Sequence, residues 1–415
     1  MVSLISRSIS LVSLALLTLS LQAADDERYR VDWRVALEAG DDTAKVSLEI
    51  EDGRPVRSMR LRFDPARFSN LEASGDLMLE DGVAVWEPPR KDAKLTYDVK
   101  ITRVRNNKNQ AESYDALMTD EWALFRGDRI TPRVNVTTRK GAVADVLLHF
   151  DLPKGWNANT GWWRYEGAAD GEIVYAIDDP ERNFDRPRGW ILVGDVGSRR
   201  ADVSDGTYFS VVAPRNSGAD RMAWLTLASL VWPEIEKAFV TIPSKIMMVS
   251  GDDPLWRGGL SGPNSFYFHS SRRAISENGT SPLFHELTHV ITRISGREND
   301  DWIAEGLAEF YGVELLFRAG GISEAKKQDI LRDLARWGRA APALRAPQSS
   351  GPITARAVGV FDSLDKEVMA QTDGKERLDA VTRLLMKKRR VSLDDLREAF
   401  EEVTGESSKL LQEIQ

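Results

Sequence analysis

The segment from residue 285 to 289 reads His285-Glu286-Leu287-Thr288-His289 and lies in a stretch of helical character from 283 to 294. A spacing of four residues puts both imidazoles on one face of a helix, one turn apart, where they can bind a single metal ion. Glu286 then projects toward the remaining coordination position. This HExxH pattern predicts a metal site.

A second informative segment, from 302 to 310, reads Trp302-Ile303-Ala304-Glu305-Gly306-Leu307-Ala308-Glu309-Phe310. A catalytic zinc commonly takes two histidines and one carboxylate and keeps one position open, and a neighbouring helix can supply the carboxylate. We predict Glu305 as this third ligand. Glu309 lies one turn further on the same face, where it could accept a ring N–H from His285 or His289. The apolar residues around both carboxylates disfavour the alternative of a solvated helix face.

The composition leaves few other ways to build a metal site. The chain has no cysteine and only four histidines, at positions 149, 269, 285 and 289. Thiol catalysis, Cys-type zinc sites and disulfides are therefore excluded. The donor set of two imidazoles and a carboxylate suits one Zn²⁺ first, with Co²⁺, Mn²⁺ or Fe²⁺ as alternatives.

This donor set also predicts a reaction. A bound zinc ion lowers the pKa of its water toward about 7 and polarises a carbonyl. Glu286 is the nearby base that would take the proton and later give it to a leaving amine. The predicted reaction is hydrolysis of a peptide or amide bond, with a peptide as substrate.

The charge balance argues against a nucleic-acid partner. The 415 residues include 56 Lys and Arg and 64 Asp and Glu, which gives a net charge of −8, and the cations form no basic block. Nucleic-acid binding depends on clustered cations that neutralise phosphates. The sequence gives no oligomeric state.

The first 24 residues have the pattern of a secretory signal peptide. Arg7 is followed by a mostly apolar run from 9 to 21, and small residues end it at Ala23 and Ala24. This run is shorter than the 20 or so apolar residues that cross a bilayer. We expect cleavage near Ala23 or Ala24, no membrane span in the mature chain, and a periplasmic or secreted protein. An uncleaved membrane anchor is the alternative.

The remaining pattern predicts an α+β protein of two domains. Period-two alternation in 29–38, 45–51 and 94–101 is typical of an antiparallel β-sandwich, which we assign to residues 25–178. We assign 179–415 to a catalytic domain with strands to about 270 and helices from about 281. The candidate helices are 281–295, 301–318, 323–337, 360–371, 375–388 and 392–403, with a loop rich in Pro, Ser and Gly between 339 and 356.

HELTH followed by WIAEGLAEF resembles the gluzincin metallopeptidases, in particular the glycyl aminopeptidase and aminopeptidase N families. Segments outside the site are similar to the glycyl aminopeptidases as well, among them Leu152-Pro153-Lys154-Gly155-Trp156 and Gly374-Lys375-Glu376-Arg377-Leu378-Asp379. The resemblance implies a thermolysin-like catalytic domain behind a β domain. It also implies His285, His289 and Glu305 as zinc ligands and Glu286 as base.

The sequence departs from those families at two functional positions. Their motif Tyr-x-Lys-Gly carries an oxyanion-stabilising Tyr, and the matching run here is Arg356-Ala357-Val358-Gly359. Arg356 could donate to the oxyanion instead, or it could be an ordinary arginine at the end of a loop. Their Gly-x-Met-Glu-Asn block, whose Glu binds a free amino terminus, is replaced by Gly258-Gly259-Leu260-Ser261-Gly262-Pro263-Asn264.

Three functions remain open at this point. The first is an exported zinc peptidase, aminopeptidase-like or with another specificity. The second is a binding or scaffold protein that keeps the zinc site but has lost turnover with the Tyr. The third is a zinc hydrolase that acts on another electrophile.

Overall fold

The computed structural model describes residues 27–105, 112–179 and 182–414. The predicted signal peptide lies outside these residues. The described chain combines sheets in its amino-terminal part with helices in its carboxy-terminal part, which confirms the predicted α+β class. None of the helices in these ranges is both long and apolar enough to span a membrane.

The front half consists of strands and one short helix. In chain order the strands are β1 Glu27–Ala36, β2 Thr43–Asp52, β3 Val56–Arg62, β4 Phe68–Ala73, β5 Asp76–Glu80, β6 Val83–Glu87, β7 Lys91–Lys100, β8 Arg103–Arg105, β9 Ser113–Met118 and β10 Trp122–Arg126. Then follow α1 Gly127–Ile130, β11 Arg133–Thr138, β12 Ala142–Asp151, β13 Asn157–Thr160, β14 Trp163–Arg164, β15 Ile173–Ile177 and β16 Trp190–Gly194.

These strands form three sheets around one apolar core. The sheet orders are β14-β15-β12-β1-β2-β7-β4, β11-β3-β6-β5 and β13-β16-β10-β9-β8. Alternation along β2 buries Val46, Leu48 and Ile50 while their neighbours face outward, as expected of a sheet with one wet face. The pairing is antiparallel except that β1 runs parallel to β12.

The strand β16 belongs to the front half by its hydrogen bonds. The sequence predicts a domain boundary at 178, yet β16 pairs with β10 and β13. Its Ile191 and Val193 are fully buried in the front core. A boundary near residue 195 therefore agrees better with the pairing.

The second half begins with a mixed sheet. Its strands are β17 Val196–Ser204, β18 Thr207–Pro214, β19 Lys245–Val249, β20 Gly259–Gly262 and β21 Ser265–Phe268, in the order β17-β18-β19-β21-β20, and α2 spans Arg221–Ala238. β20 is therefore an edge strand. The helical part comprises α3 Pro282–Thr292, α4 Asp301–Arg318, α5 Glu324–Gly338, α6 Pro352–Gln371, α7 Leu378–Lys388, α8 Leu393–Thr404 and α9 Lys409–Glu413, with short strands β22 Ser295–Gly296 and β23 Arg390–Val391.

A buried ionic network fixes α4 to its neighbours. The carboxylate of Glu314, which is 1% exposed, lies 2.8 Å from Arg318 Nε, 2.6 Å from Lys327 Nζ and 2.7 Å from Arg377 Nη2. These cations come from α4, from α5 and from the residue before α7. Because a buried charge is costly without partners, the network ties the three helices together.

Replacing Glu314 should therefore destabilise the protein strongly. We expect Glu314→Gln to lower the free energy of unfolding by about 3–5 kcal/mol, since Lys327 loses its anion and Arg318 and Arg377 each keep only one of two carboxylate partners. Denaturant unfolding followed by circular dichroism measures this. Asp329→Asn is the control, because the Asp329–Arg332 pair on α5 is exposed and should contribute little. Equal effects of both substitutions would contradict the role of Glu314.

Candidate metal centre

The helix α3 presents the two histidines of the HExxH motif. Ser281 caps it by accepting a hydrogen bond from Phe284 N at 3.3 Å, and Pro282 occupies the first turn, where no amide donor is needed. The helix ends at Thr292, and the next residue, Arg293, has a left-handed φ of 52°. Leu283, Leu287 and Val290 are buried on one side, so the imidazoles lie on the side that faces the cleft and α4.

The helix α4 presents Glu305 and Glu309 to the same side of α3. Gly312 makes this close approach possible, because a Cβ at that position would lie 3.2 Å from Ser281 O at the start of α3. Gly306 allows an equally close approach of α4 to α6, since a Cβ at position 306 would lie 2.5 Å from Ala357 Cβ. Larger residues at either position would push α4 away from its neighbours.

The structure brings His285, His289 and Glu305 together in one cluster. His285 Nε2 lies 3.2 Å from His289 Nε2. Glu305 places Oε2 at 3.5 Å from His285 Nε2 and Oε1 at 3.3 Å from His289 Nε2. Among the described residues this is the group whose ligand atoms all lie within 4.8 Å of one another.

These spacings fit a tetrahedral zinc ion. Ligand atoms at about 2.0–2.1 Å from a tetrahedral metal are about 3.3 Å apart, and the separations of 3.2–3.5 Å observed here agree with that value. Two imidazoles and one carboxylate leave a fourth position for another ligand, which is the arrangement of catalytic rather than structural zinc sites.

Glu309 orients one of the two rings. Its Oε2 lies 2.9 Å from His285 Nδ1, so a proton on Nδ1 would leave Nε2 free to bind a metal. Burial disfavours the charged ring, but the hydrogen bonds with Glu305 and Glu309 outweigh it and raise the pKa of His285 to about 10. The two carboxylates therefore favour a positive charge at this position, which a protonated His285 or a bound metal ion would supply.

Glu286 lies next to the cluster and against the edge strand β20. A Cβ at Gly259 would lie 2.8 Å from Glu286 Oε1. Burial raises the pKa of the Glu286 carboxyl, while the charges of His285 and His289 lower it. A carboxylate whose pKa is raised by burial holds a proton better than an ordinary one, as a general base requires.

A cleft of about 430 Å³ opens above these residues. Its walls include Trp256, Trp337 and Arg272, the last in the segment between β21 and α3. The lining residues are Trp256, Gly259, Arg272, Ser276, Asn278, Thr280, Pro282, His285, Glu286, Glu305, Glu309, Leu334, Trp337, Ser349, Ser350, Gly351, Thr354 and Ala355.

Arg356 is not among the residues that line this cleft, which agrees with the second of its two interpretations, an ordinary arginine, and not with an oxyanion donor. The sequence predicts a loop up to 356, but α6 begins at Pro352. Thr354 and Ala355 line the cleft, and the next residue turns about 100° further around the helix. Arg356 is exposed, and its Nη1 donates to Ala341 O at 3.4 Å.

Arg272 is a cleft residue that the sequence did not reveal. It lies in an irregular segment between a strand and a helix, where no motif or periodicity marks it. The nearest signal is its position a short distance before the HExxH helix. Its positive charge acts on the Glu286 carboxyl and favours the ionised form.

No protein family's sequence profile matches this chain, and no curated protein matches it either. Solved structures do match. One is an aminopeptidase N family protein from Idiomarina loihiensis, with a TM-score of 0.62 and 16% identity over 86% of this chain and 70% of that chain. Another is a mutant M1 zinc metallopeptidase from Deinococcus radiodurans bound to a Tyr-Ser-Ala substrate, with a TM-score of 0.60 and 13% identity over 94% of this chain and 92% of that chain.

A two-domain M1 zinc metallopeptidase mutant bound to L-arginine matches with a TM-score of 0.62 and 13% identity over the same shares of the two chains. At these identities the likeness is one of fold. The predicted resemblance to the aminopeptidase N family is confirmed at that level: the chain has the fold of the M1 zinc metallopeptidases, with a β domain in front and helices behind.

We expect Glu309→Ala to weaken zinc binding by about 10- to 100-fold, because His285 loses the acceptor that fixes its tautomer and its orientation. Competition with a fluorescent chelator measures the affinity. Glu324→Ala, an exposed acidic residue in the first turn of α5, should leave the affinity unchanged. An unchanged affinity in Glu309→Ala would show that His285 does not depend on this hydrogen bond.

Gly259→Ala should displace the Glu286 carboxylate without removing it. The new methyl group would displace Glu286, so we expect a loss of hydrolytic activity with zinc content unchanged. Gly359→Ala on α6 is the matched control, since a Cβ there meets no atom within 4 Å. Steady-state kinetics and metal analysis on both variants make the comparison. Full activity in Gly259→Ala would contradict the close contact of β20 with Glu286.

Proposed function

We propose that this protein is a zinc-dependent peptidase in which His285, His289 and Glu305 hold one Zn²⁺ and Glu286 is the general base. The observation that carries the proposal is the cluster of three ligand atoms at tetrahedral spacing, 3.2–3.5 Å apart. Glu286 beside it and Glu309 behind it complete the set of groups that such a site needs.

The zinc ion would supply a Lewis acid that polarises a carbonyl and makes a bound water acidic. The chain's own residues do the remaining work. The Glu286 carboxylate accepts a proton from the attacking water and then delivers it to the leaving nitrogen, so that one group acts first as base and then as acid. Glu309 keeps the proton of His285 on Nδ1, and Glu305 balances the charge of the metal.

The edge strand β20 supports a peptide as the substrate. An extended peptide can add to the open edge of a sheet through main-chain hydrogen bonds, and Gly259 lies directly beside Glu286. A peptide along β20 would carry its backbone past the base. Solved structures of the same fold contain a Tyr-Ser-Ala peptide or L-arginine, which agrees with this class of ligand.

The N-terminal pattern supports export. A short apolar run after Arg7 and small residues at Ala23 and Ala24 are typical of a cleaved signal peptide. We place the mature protein in the periplasm or outside the cell. N-terminal sequencing of the exported protein would locate the cleavage site.

One observation favours a second function, a zinc-binding scaffold without turnover. The described residues that line the cleft include no tyrosine, and Arg356 points elsewhere. The oxyanion donor of the families that the sequence resembles therefore has no tyrosine counterpart in the described part of the cleft.

Substitution of the base separates the two functions. The zinc-loaded chain is assayed with a peptide library that carries free or blocked amino termini, with and without a chelator. We expect Glu286→Gln to lower kcat/KM by about 100- to 10,000-fold while one zinc per chain remains bound. Glu305→Ala should lose both zinc and activity, and Glu277→Gln, an exposed acid outside the cleft, should lose neither.

Equal hydrolysis by the wild type and Glu286→Gln would contradict the role of Glu286. A wild type that binds zinc and cleaves none of the peptides would favour the scaffold. Metal analysis alongside the assay tells these outcomes apart, because it reports the site independently of turnover.

A further inference from the structure

Arg272 is a cationic residue in the wall of the cleft that contains Glu286. It is half-buried in the segment between β21 and α3, and it lines the same cleft as Glu286. Its backbone N donates to His269 O at 3.0 Å, which fixes the start of its side chain. The guanidinium carbon lies 5.9 Å from the ring centre of Phe268, a fully buried residue of β21. The position of the side chain is thus supported by packing.

The guanidinium of Arg272 has no anionic partner among the residues that the structure describes. The two neighbouring charged side chains, Arg273 and Glu277, form an exposed pair with each other at 3.1 Å. Other partly buried arginines of this chain are paired with carboxylates: Arg318 with Asp379 and Arg377 with Asp365. Arg272 lines the cleft without such a pair.

The acidic residues of the cleft already have partners or roles. Glu305 contacts both histidines, Glu309 is hydrogen-bonded to His285, and Glu286 is the proposed base. No other carboxylate lines the described part of the cleft. The positively charged amino terminus of a substrate would therefore find no carboxylate without another partner or role, and Arg272 would repel it. A substrate carboxylate could instead form an ion pair with Arg272.

We propose that Arg272 selects substrates that carry a carboxylate near the scissile bond. This inference rests on the proposed peptidase function and specifies its substrate class. The guanidinium presents donors in a planar fork that matches a carboxylate, and its partial burial strengthens such a pair over one in water. The carboxylate can be the free C-terminus of a short peptide or an Asp or Glu side chain.

Two pairs of amino-blocked peptides test the proposal and distinguish these sources. In the first pair the C-terminus is a free carboxylate or an amide. In the second pair the C-terminus is amidated and an internal residue is Glu or Gln. For each pair kcat/KM is measured on the zinc-loaded chain. The Kd of the uncleaved peptides is measured by calorimetry on zinc-loaded Glu286→Gln.

We expect the carboxylate member of one pair to be preferred by about 10- to 100-fold, in kcat/KM and in Kd, as a charge-assisted hydrogen-bonded pair provides. The pair that shows the preference identifies the source of the carboxylate. Arg272→Met, made alone and combined with Glu286→Gln, should reduce the ratio to within about twofold, and Arg272→Lys should keep part of it. Arg273→Met, the exposed neighbour outside the cleft, should keep the full ratio.

Three results would overturn the proposal: ratios near one in the wild type, an unchanged ratio in Arg272→Met, or a uniform loss of kcat on all four peptides. The last would assign Arg272 to the oxyanion instead. If the wild type cleaves none of the peptides, the peptidase function fails by itself. The ratio of the Kd values within each peptide pair is then compared between Glu286→Gln and the double variant Glu286→Gln, Arg272→Met. This comparison still decides whether Arg272 binds carboxylates.

Discussion

The contact between α3 and α4 is the constraint on which the site depends. Two imidazoles from one helix and two carboxylates from the other are concentrated where Gly312 lets α4 reach the start of α3. Such a concentration of polar groups is costly without a cation or a proton between them, as the raised pKa of His285 shows. The apolar sides of both helices supply the stability, and the Glu314 network holds α4 in place beyond the site.

The front half contributes to the cleft through its contacts with β20 and the segment before it. Trp190 Nε1 donates to Leu260 O at 2.8 Å, and Arg126 Nη1 donates to Ser261 O at 3.2 Å. Arg105 stacks on Trp256 with its guanidinium carbon 3.6 Å from the ring centre. The β domain therefore fixes one wall of the cleft and the strand beside Glu286. It thus helps to set the shape of the cleft that a ligand would enter.

The sequence predicted those parts of the molecule in which local pattern and tertiary structure agree. The limits of α4, 301–318, follow from its apolar periodicity, and the HExxH spacing predicted two histidines on one face. The α+β class followed from alternation in the front and helical periodicity behind. Because the candidate ligand atoms come from two segments with fixed helical geometry, their proximity could be inferred without coordinates.

The remaining parts depend on contacts that are distant in sequence. The sequence predicts a loop through Pro352, although proline is well suited to the first turn of a helix. The motif match alone made Arg356 a candidate oxyanion donor, and its position relative to the cleft depends on where α6 begins. The strand β16 follows an irregular segment, and only its pairing with β10 and β13 assigns it to the front half. Arg272 has no periodic or motif signal, because its position in the cleft is set by the packing of β21 and α3.

An anomalous difference map collected at the zinc absorption edge from crystals of the untreated protein tests the central claim directly. We predict a single strong peak bounded by His285 Nε2, His289 Nε2 and a carboxylate oxygen of Glu305, each at about 2.0–2.2 Å. A map without a peak between α3 and α4, or a zinc ion bound elsewhere with Glu305 turned away from the two rings, would contradict it.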